Sequence, residues 1–275
     1  MILFGLVCFR EKYNKSITFI DLKNSYKYSN NPNKKLNLFV FDNTDSNDWC
    51  VSFERNTDGV FSYYFHDPKN PGISYAYNEI AIYAKKNGYQ YIIFLDQDTH
   101  LPIDFYDQYY NFVTQNNVSI AVPVIMNGNL IFSPSKYKNY RSINLHTLND
   151  SQINAKTHTC INSGLLVETS FFFKVGGYNN SLRVDFCDHE FIRRVSKHTD
   201  KITILPVILK QSFSTEVNSL DKAVFRYRIF LRDLFSFKKI NNSSIRMFFF
   251  IDLPHLIRLT WQYKTLRFIR IRLQK

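Results

Sequence analysis

Continuous apolar runs alternate along the chain with stretches of helical periodicity. The runs at 2–9, 36–41 and 91–95 are too short for buried helices and are typical of strands covered on both faces. Before the third run, residues 73–86 repeat apolar positions at helical spacing, and Gly88 follows them as a C-terminal glycine would. This alternation predicts an α/β fold, a mostly parallel sheet flanked by helices.

The other elements have weaker patterns. Residues 127–156 show neither the helical nor the strand period and are predicted to be loop-rich. No repeat and no linker rich in Gly, Ser or Pro divides the chain, so we expect one domain over 1–240, followed by a basic helical extension over 241–275. Further helices are predicted at 16–28, 103–113, 188–198 and 220–235, and further strands at 60–65, 119–125, 159–167 and 202–209.

The positive charge is concentrated at the C-terminal end. Residues 222–275 contain 13 Lys and Arg but 2 Asp and Glu, whereas the rest of the chain is nearly balanced within a net charge of +12. Phe248, Phe249, Phe250 and Trp261 lie among these cations, which is typical of a helix that docks on an anionic membrane surface. Nucleic-acid binding and a solvated helical face are the alternatives, and no nucleic-acid-binding motif accompanies the charge.

Two further expectations concern this extension and the cellular compartment. Asp252 stands before Leu253 and Pro254 and is predicted to be the N-cap of a helix. The four cysteines form no Cys-x-x-Cys pair, so we expect free buried thiols and a reducing compartment. No apolar run reaches the ~18 residues of a membrane span, and neither end has the pattern of a targeting signal. A soluble or membrane-surface protein is therefore expected.

Acidic side chains follow two of the predicted strands. Asp42 comes directly after the strand at 36–41, and Asp96 and Asp98 follow the strand at 91–95. Ligands of open α/β sheets bind at the carboxyl ends of the strands. Two carboxylates one residue apart can hold a hard divalent ion whose shell is completed by a diphosphate. A solvated turn is the alternative, because Asp-x-Asp by itself is common.

The motifs of the chain, and the order in which they occur, resemble those of the family 2 glycosyltransferases, particularly the bacterial rhamnosyltransferase-like branch. The resemblance covers about residues 1–240, and its most specific part is the block from Asn70 to Thr99. The matching residues are Asp42-Asn43, Asn70-Pro71-Gly72-Ile73-Ser74-Tyr75-Ala76-Tyr77-Asn78, Phe94-Leu95-Asp96-Gln97-Asp98-Thr99, Asn162-Ser163-Gly164-Leu165-Leu166, Val175-Gly176-Gly177-Tyr178 and Asp185-Phe186-Cys187-Asp188-His189-Glu190.

The resemblance implies a GT-A-type fold, a nucleotide-sugar donor and a divalent ion, Mg²⁺ or Mn²⁺, bound with the donor diphosphate. It places Asp42 at the nucleobase of the donor and Asp96 near the ribose. It places Asp98, helped by Asp96, on the metal. It further implies that Asn70, Gly72 and Asn78 shape the nucleotide pocket. For Gly72, an ordinary tight turn remains an equal alternative.

The helix predicted from residue 188 would supply the catalytic residues, Asp188 and Glu190. Inverting transfer is a single displacement that needs a carboxylate to deprotonate the acceptor hydroxyl, and the resemblance assigns this role to Asp188. An N-cap role for Asp188 and a first-turn role for Glu190 are the alternatives. One departure from the family concerns the metal, because Gln211-Ser212-Phe213 stands where many relatives have a His. A neutral amide is the weaker ligand, which puts the metal dependence in doubt.

The resemblance therefore implies an inverting glycosyltransferase of bacterial surface-polysaccharide biosynthesis, either O-antigen or capsule. A dTDP-rhamnose donor is favoured by the branch, with a UDP-hexose as the alternative, and the acceptor is a glycan or is linked to lipid. A lipid-linked acceptor would explain the basic extension, so we expect a cytoplasmic protein, peripheral on the inner face of the cell membrane. The alternative is a non-catalytic nucleic-acid-binding protein that uses the basic extension.

Overall fold

The computed structural model describes residues 1–32, 34–47, 56–57, 60–211 and 219–274. Cys50, Ser212 and Phe213 lie outside these ranges. The strands are β1 (Ile2–Cys8), β2 (Leu36–Asp42), β3 (Asn56–Thr57), β4 (Val60–His66), β5 (Tyr91–Asp96), β6 (Thr99–His100), β7 (Ile120–Asn127), β8 (Leu130–Lys138), β9 (Arg141–Leu145), β10 (Gln152–Asn154), β11 (His158–Thr159), β12 (Leu166–Glu168) and β13 (Lys201–Gln211).

The helices follow the sequence prediction closely up to residue 235. They are α1 (Ile17–Tyr28), α2 (Ile73–Lys86), α3 (Phe105–Gln115), α4 (Thr169–Val175), α5 (Cys187–Val195), α6 (Leu220–Asn241), α7 (Ser244–Met247), α8 (Leu253–Gln262) and α9 (Arg267–Leu273). A 3₁₀ turn spans Tyr13–Lys15, and a π-helical turn spans Phe248–Asp252 between α7 and α8. None of the described helices combines the length and the apolar character that crossing a membrane requires.

The sheet is mostly parallel, as predicted. Its strands lie in the order β13, β7, β12, β5, β1, β2 and β4, with β10 and β3 at the two edges. The pairs β1–β2, β1–β5, β2–β4 and β7–β13 are parallel, and β12 runs against both β5 and β7. Three central strands thus end at the same edge of the sheet.

Alternate residues of β1 belong to two different cores. Leu3 and Val7 pack in the core shared with α2, α4 and α5, whereas Phe4 and Leu6 pack in the core shared with α1 and α3. Helix α2 packs closely against Gly5. A Cβ at this position would lie 2.6 Å from Cγ2 of Ile80 in that helix. The uninterrupted apolar run of β1 therefore reflects burial on both faces, as its sequence indicates.

The segment predicted to be loop-rich, 127–156, is where the prediction of secondary structure was wrong. It contains β8, β9 and β10, which extend the sheet by antiparallel pairing. Asn139 and Tyr140, both with positive φ, form the two-residue turn between β8 and β9. Pro134 lies inside β8, where proline is uncommon, and this concealed the strand pattern. By contrast, the strand predicted at 159–167, with a break at Gly164 (φ 78°), is divided into β11 and β12 as expected.

The C-terminal helices pack on α6. Phe268 and Leu259 form a buried cluster with Leu231 and Leu234 of α6, and Met247 is fully buried in the main core. The boundary predicted at residue 240 falls in the last turn of α6, and the division into a domain and an extension stays a prediction. The three described cysteines, Cys8, Cys160 and Cys187, are free and buried, as expected.

Asp252 is not the predicted N-cap. Its backbone is helical, its side chain caps no N–H group, and it is 1% exposed. Lys238 Nζ lies 2.8 Å and Arg272 Nη2 2.9 Å from Asp252 Oδ2, so the carboxylate joins α6, the π-helical turn and α9. The position of Asp252 directly before Leu253 and Pro254 indicated a cap. Its ion pairs with Lys238 and Arg272, which are distant in sequence, determine its role instead.

We expect Asp252→Asn to destabilise the fold by roughly 3–5 kcal/mol, because it leaves Lys238 buried without its counter-ion. Urea unfolding followed by circular dichroism measures this change. Asp221→Asn is the matched control, since its pair with Arg267 is exposed and should cost less than about 1 kcal/mol. Equal losses in the two variants would contradict the role assigned to Asp252.

Candidate active site

The register of β1 with its two neighbours brings the first two acidic positions together. Cys8 lies opposite Asp42 of β2, and Val7 lies opposite Asp96 of β5. Because the three strands are parallel, Asp42 and Asp96 lie at the same edge of the sheet on either side of β1. The two acids that follow predicted strands in the sequence thus lie at one edge of the sheet.

Asp42 is held in place by its own strand neighbours. It is fully buried, and it accepts hydrogen bonds from the hydroxyl of Tyr64 (2.8 Å) and the N–H of Thr44 (2.9 Å). Thr44 in turn accepts a hydrogen bond from the N–H of Arg10 (2.7 Å), which ties the end of β2 to the end of β1. The orientation of Asp42 is thus set before any ligand binds.

The loop that carries Asp96 and Asp98 is fixed by two side chains. Gln97 bonds with both backbone groups of Phe9, at 2.7 Å and 3.2 Å. Thr18 Oγ1, fully buried at the start of α1, lies 2.6 Å from the carbonyl oxygen of Asp96 and accepts from the N–H of Thr99 at 2.9 Å. The sequence analysis did not find Thr18, because its role depends on a contact between residues 78 positions apart.

Asp96 is the most perturbed acid of the cleft. Burial raises its pKa from 3.8 to about 7, the hydroxyl of Tyr77 opposes this by donating a 2.6 Å hydrogen bond, and the charges of Asp98 and Asp188 raise the pKa further. Burial also raises the pKa of Glu11, and the charge of Asp98 adds to that shift. Glu11 is thus within the electrostatic influence of Asp98, and no sequence motif indicated it.

Asp98 reaches into solvent beside Gln211. Its side chain is exposed, and Oδ1 accepts a 2.9 Å hydrogen bond from Nε2 of Gln211. Gln211 is buried, and its Oε1 has no hydrogen-bond partner in the described part of the chain. Two hard oxygen atoms, one from Asp98 and one from the Gln211 amide, could thus face a divalent ion.

The described residues contain no group of three or more His, Cys, Asp or Glu side chains placed to hold a metal ion. The residues present therefore fit an ion that keeps water or phosphate ligands, as Mg²⁺ does, and not a site made by protein alone.

The three residues expected to shape the nucleotide pocket lie near the segment 178–183. Asn78 uses its amide fully there, accepting from the N–H of Tyr178 and donating to the carbonyl oxygen of Tyr178 and to Asn180, each at 2.8 Å. Gly72 (φ 105°) begins α2, and a Cβ there would lie 2.6 Å from the carbonyl oxygen of Arg183. Asn70 has a left-handed backbone (φ 45°) in the preceding turn. A close approach of the backbone explains Gly72, and nucleotide contact by these three residues stays a prediction.

Asp188 faces the cleft from α5. The residue at the N-cap is Phe186 (φ 65°), so the alternative that Asp188 caps the helix is excluded. Its side chain is 18% exposed and accepts from the N–H of His189 at 2.8 Å. The charge of Asp188 contributes to the raised pKa of Asp96.

Glu190 is not brought to the cleft. It is 1% exposed, and both oxygens accept hydrogen bonds from Arg194 at 2.7–2.9 Å. Arg194 also donates to the carbonyl oxygen of Val175, which joins α5 to the end of α4. The pair therefore anchors α5, and it leaves Asp188 as the acid of this helix that is accessible to a substrate.

His189, the residue next to Asp188, contacts three of the antiparallel strands. Its Nδ1 lies 2.8 Å from Thr159 Oγ1, its Nε2 lies 3.3 Å from Ser142 Oγ, and its ring packs 4.9 Å from that of Tyr137. It connects the helix that carries Asp188 to the antiparallel strands, which sequence spacing could not show.

The family model described as Glycosyl transferase family 2 matches residues 19–176 of the chain. A curated relative, the "dTDP-rhamnosyl transferase RfbF" of Shigella flexneri, is 26% identical over 191 residues. That alignment covers 64% of this chain and 63% of the relative, so the chain spans less than two thirds of that protein.

Two solved structures are similar in fold. S. aureus TarS 1–349 in complex with UDP has a TM-score of 0.50 at 11% identity, covering 84% of this chain and 65% of that one. GalNAc-T7 with UDP, GalNAc and Mn²⁺ has a TM-score of 0.57 at 13% identity, covering 98% of this chain and 55% of that one. The expected GT-A-type architecture is thereby confirmed.

The raised pKa of Asp96 has a consequence for stability. The unfolded chain releases this proton near the ordinary value of 3.8, whereas the folded protein holds it up to about pH 7. The stabilising contribution is therefore complete below about pH 4 and is lost as the pH rises to about 7. Asp96→Asn should remove this loss, so the variant should gain stability relative to the natural protein over that range.

Urea unfolding at several pH values between 4 and 8 measures this difference. Tyr77→Phe is the companion variant: it removes the hydrogen bond that favours the carboxylate, so the loss of stability should extend to higher pH. A constant difference between Asp96→Asn and the natural protein across the range would contradict the assigned pKa.

Proposed function

The chain belongs to glycosyl transferase family 2, and on this premise we propose that it is an inverting transferase of bacterial surface-polysaccharide biosynthesis. It moves a sugar from a nucleoside-diphosphate donor to a glycan or lipid-linked acceptor. The observation that carries this proposal is the convergence of Asp42, Asp96 and Asp98 at one sheet edge, together with the effect of the Asp188 charge on the pKa of Asp96. A donor bound at the strand ends would then face Asp188, the carboxylate that acts on the acceptor hydroxyl.

The donor lies across the carboxyl ends of β1, β2 and β5. Asp42 contacts the base, Asp96 the ribose, and Asp98 lies at the diphosphate. The 26% identity to a protein named as a dTDP-rhamnosyl transferase favours dTDP-rhamnose as the donor. A UDP-hexose is the alternative, because both structural neighbours contain UDP.

A divalent ion, Mg²⁺ or Mn²⁺, would neutralise charge on the leaving diphosphate. Asp98 would hold it, with the amide oxygen of Gln211 in support, and the donor phosphates would complete the shell. One residue separates Asp96 from Asp98, which would hold the metal. A hydrogen bond from Tyr77 fixes the orientation of the buried carboxyl group of Asp96.

Transfer is a single displacement. The acceptor oxygen bonds to the anomeric carbon as the bond from that carbon to the diphosphate oxygen breaks, and the nucleoside diphosphate leaves with the electron pair. Asp188 accepts the proton of the acceptor hydroxyl. Its bond from the N–H of His189 holds the carboxylate in position at the first turn of α5.

The C-terminal helices place the protein on the inner face of the cell membrane. Lys239 and Arg246 line an open cavity of about 1020 Å³ between α6 and α7, with the exposed rings of Phe248 and Phe249. Cations next to exposed aromatic rings suit the interface of an anionic leaflet. Other cations of residues 222–275 have carboxylate partners, which leaves fewer of them for nucleic acid: Arg226, Arg232, Lys238, Arg267 and Arg272.

The test of catalysis is nucleotide release from a panel of dTDP- and UDP-sugars with lipid-linked acceptors. Asp188→Asn should lower kcat by roughly 10²–10⁴-fold with little change in the KM for the donor. Asp98→Ala should raise the KM for the donor and weaken its dependence on Mg²⁺. Asp200→Asn is the control, because it changes the net charge by the same amount as Asp188→Asn. Asp200 pairs with Lys156 at the surface. Equal turnover by all four proteins would refute the assignments.

The membrane location is tested by sedimentation with vesicles of phosphatidylcholine with and without phosphatidylglycerol. Lys239→Gln/Arg246→Gln should weaken binding to the anionic vesicles by roughly thirtyfold, and added salt should weaken binding of the natural protein. Lys86→Gln/Lys197→Gln is the control, because these exposed lysines lie outside the C-terminal helices. The proposal fails if both double variants sediment as the natural protein does.

A further inference from the structure

A second cavity of about 330 Å³ opens beside the helix that carries Asp188. His189, the next residue in the chain, lines it, and Ser142 lines it from β9. The volume is within the usual range of small-molecule sites, about 300–1,000 Å³. The donor carboxylates Asp42, Asp96 and Asp98 do not line it. The cavity thus adjoins Asp188 through His189, the next residue in the chain, and is separate from the donor carboxylates.

The C-terminal helices build the opposite wall of this cavity. Phe250 and Ile251 of the π-helical turn and Pro254, His255 and Arg258 of α8 line it. This part of the chain lies beyond residues 19–176, which the family model matches. The wall is held in place by the buried carboxylate of Asp252, which stands between the two sets of lining residues.

The cavity is positively charged. Arg141 and Arg258 both line it, and none of its described lining residues is a carboxylate. Nor does any described carboxylate form an ion pair with either guanidinium group. His255 Nδ1 lies 3.1 Å from Nη2 of Arg258, and the His255 ring packs 4.2 Å from that of Phe230, which fixes the position of the arginine.

The pKa of His255 is lowered in this positively charged environment. Burial, followed by the positive charges of Arg258 and Arg226, lowers the pKa to about 4, while the charge of Asp252 has the opposite effect. The ring is therefore neutral at physiological pH, so its Nδ1 can accept a hydrogen bond from Arg258. Arg226 itself pairs with Asp185, which leaves Arg141 and Arg258 as the cations that face the cavity.

We propose that this cavity is the acceptor subsite, and that it takes a sugar carrying a phosphate or diphosphate ester, bound by Arg141 and Arg258. The inference rests on the proposed transferase function and specifies its acceptor. Arginine is suited to phosphate because its planar group donates two parallel hydrogen bonds. Phe250, which is exposed at the mouth of the cavity, and the apolar surface of Pro254 would contact the alkyl chain when the ester is lipid-linked.

The test uses isothermal titration calorimetry with three probes: glucosyl decyl phosphate, decyl glucoside and glucose 1-phosphate. The natural protein should bind glucosyl decyl phosphate at least roughly tenfold more tightly than the neutral decyl glucoside. Arg141→Gln/Arg258→Gln should remove that difference without changing the KM for the donor. Arg270→Gln, an exposed arginine of α9 outside the cavity, should retain it.

The third probe separates the two sources of phosphate. Equal binding of glucose 1-phosphate and the decyl ester indicates a free sugar phosphate, and tighter binding of the ester indicates a lipid-linked one. The inference is overturned if the natural protein binds the charged and neutral decyl probes equally, or if Arg270→Gln loses as much affinity as the double variant.

The same titrations separate failure of this inference from failure of the proposed function. Nucleotide release from the donors without preference for the charged probe would overturn the acceptor subsite alone. Phosphate-dependent binding through the two arginines, with no turnover of any donor, would uphold the cavity and overturn the transferase function.

Discussion

The parallel pairing of β1 with both β2 and β5 is the constraint on which the rest of the site depends. Because the three strands run in the same direction in register, the residues that follow them lie at one edge, with Asp42 and Asp96 on either side of β1. Burial of β1 on both faces keeps this register, since a slip by one residue would exchange the two cores. Thr18 and Gln97 then fix the loop at the end of β5.

This convergence places several negative charges in a small volume. Burial and the charges of its neighbours raise the pKa of Asp96 to about 7, and burial together with Asp98 raises that of Glu11. In the proposed function, a nucleoside diphosphate would add further negative charge there. A divalent cation bound with the donor, beside the exposed carboxylate of Asp98 and the amide of Gln211, would offset that charge.

The C-terminal helices contribute both to the packing of the fold and to the lining of a cavity. Asp252, one of the two acids among residues 222–275, is buried between Lys238 and Arg272, and its ion pairs set the position of the π-helical turn and α8. Those elements form a wall of the cavity beside Asp188. The basic and aromatic character of this part of the chain thus has two uses: some cations stabilise the packing, and others face the outside or the cavity.

Local pattern determined which segments are strands and helices, and it placed Asp98 after a buried strand, because periodicity and turn residues act over a few positions. Contacts between distant residues were decided by packing alone. No spacing in the sequence shows that Arg194 also donates to the carbonyl oxygen of Val175, that Asp252 is buried between two cations, or that Thr18 holds the loop of Asp96. Such roles depend on which elements pack together, and this is a property of the tertiary structure.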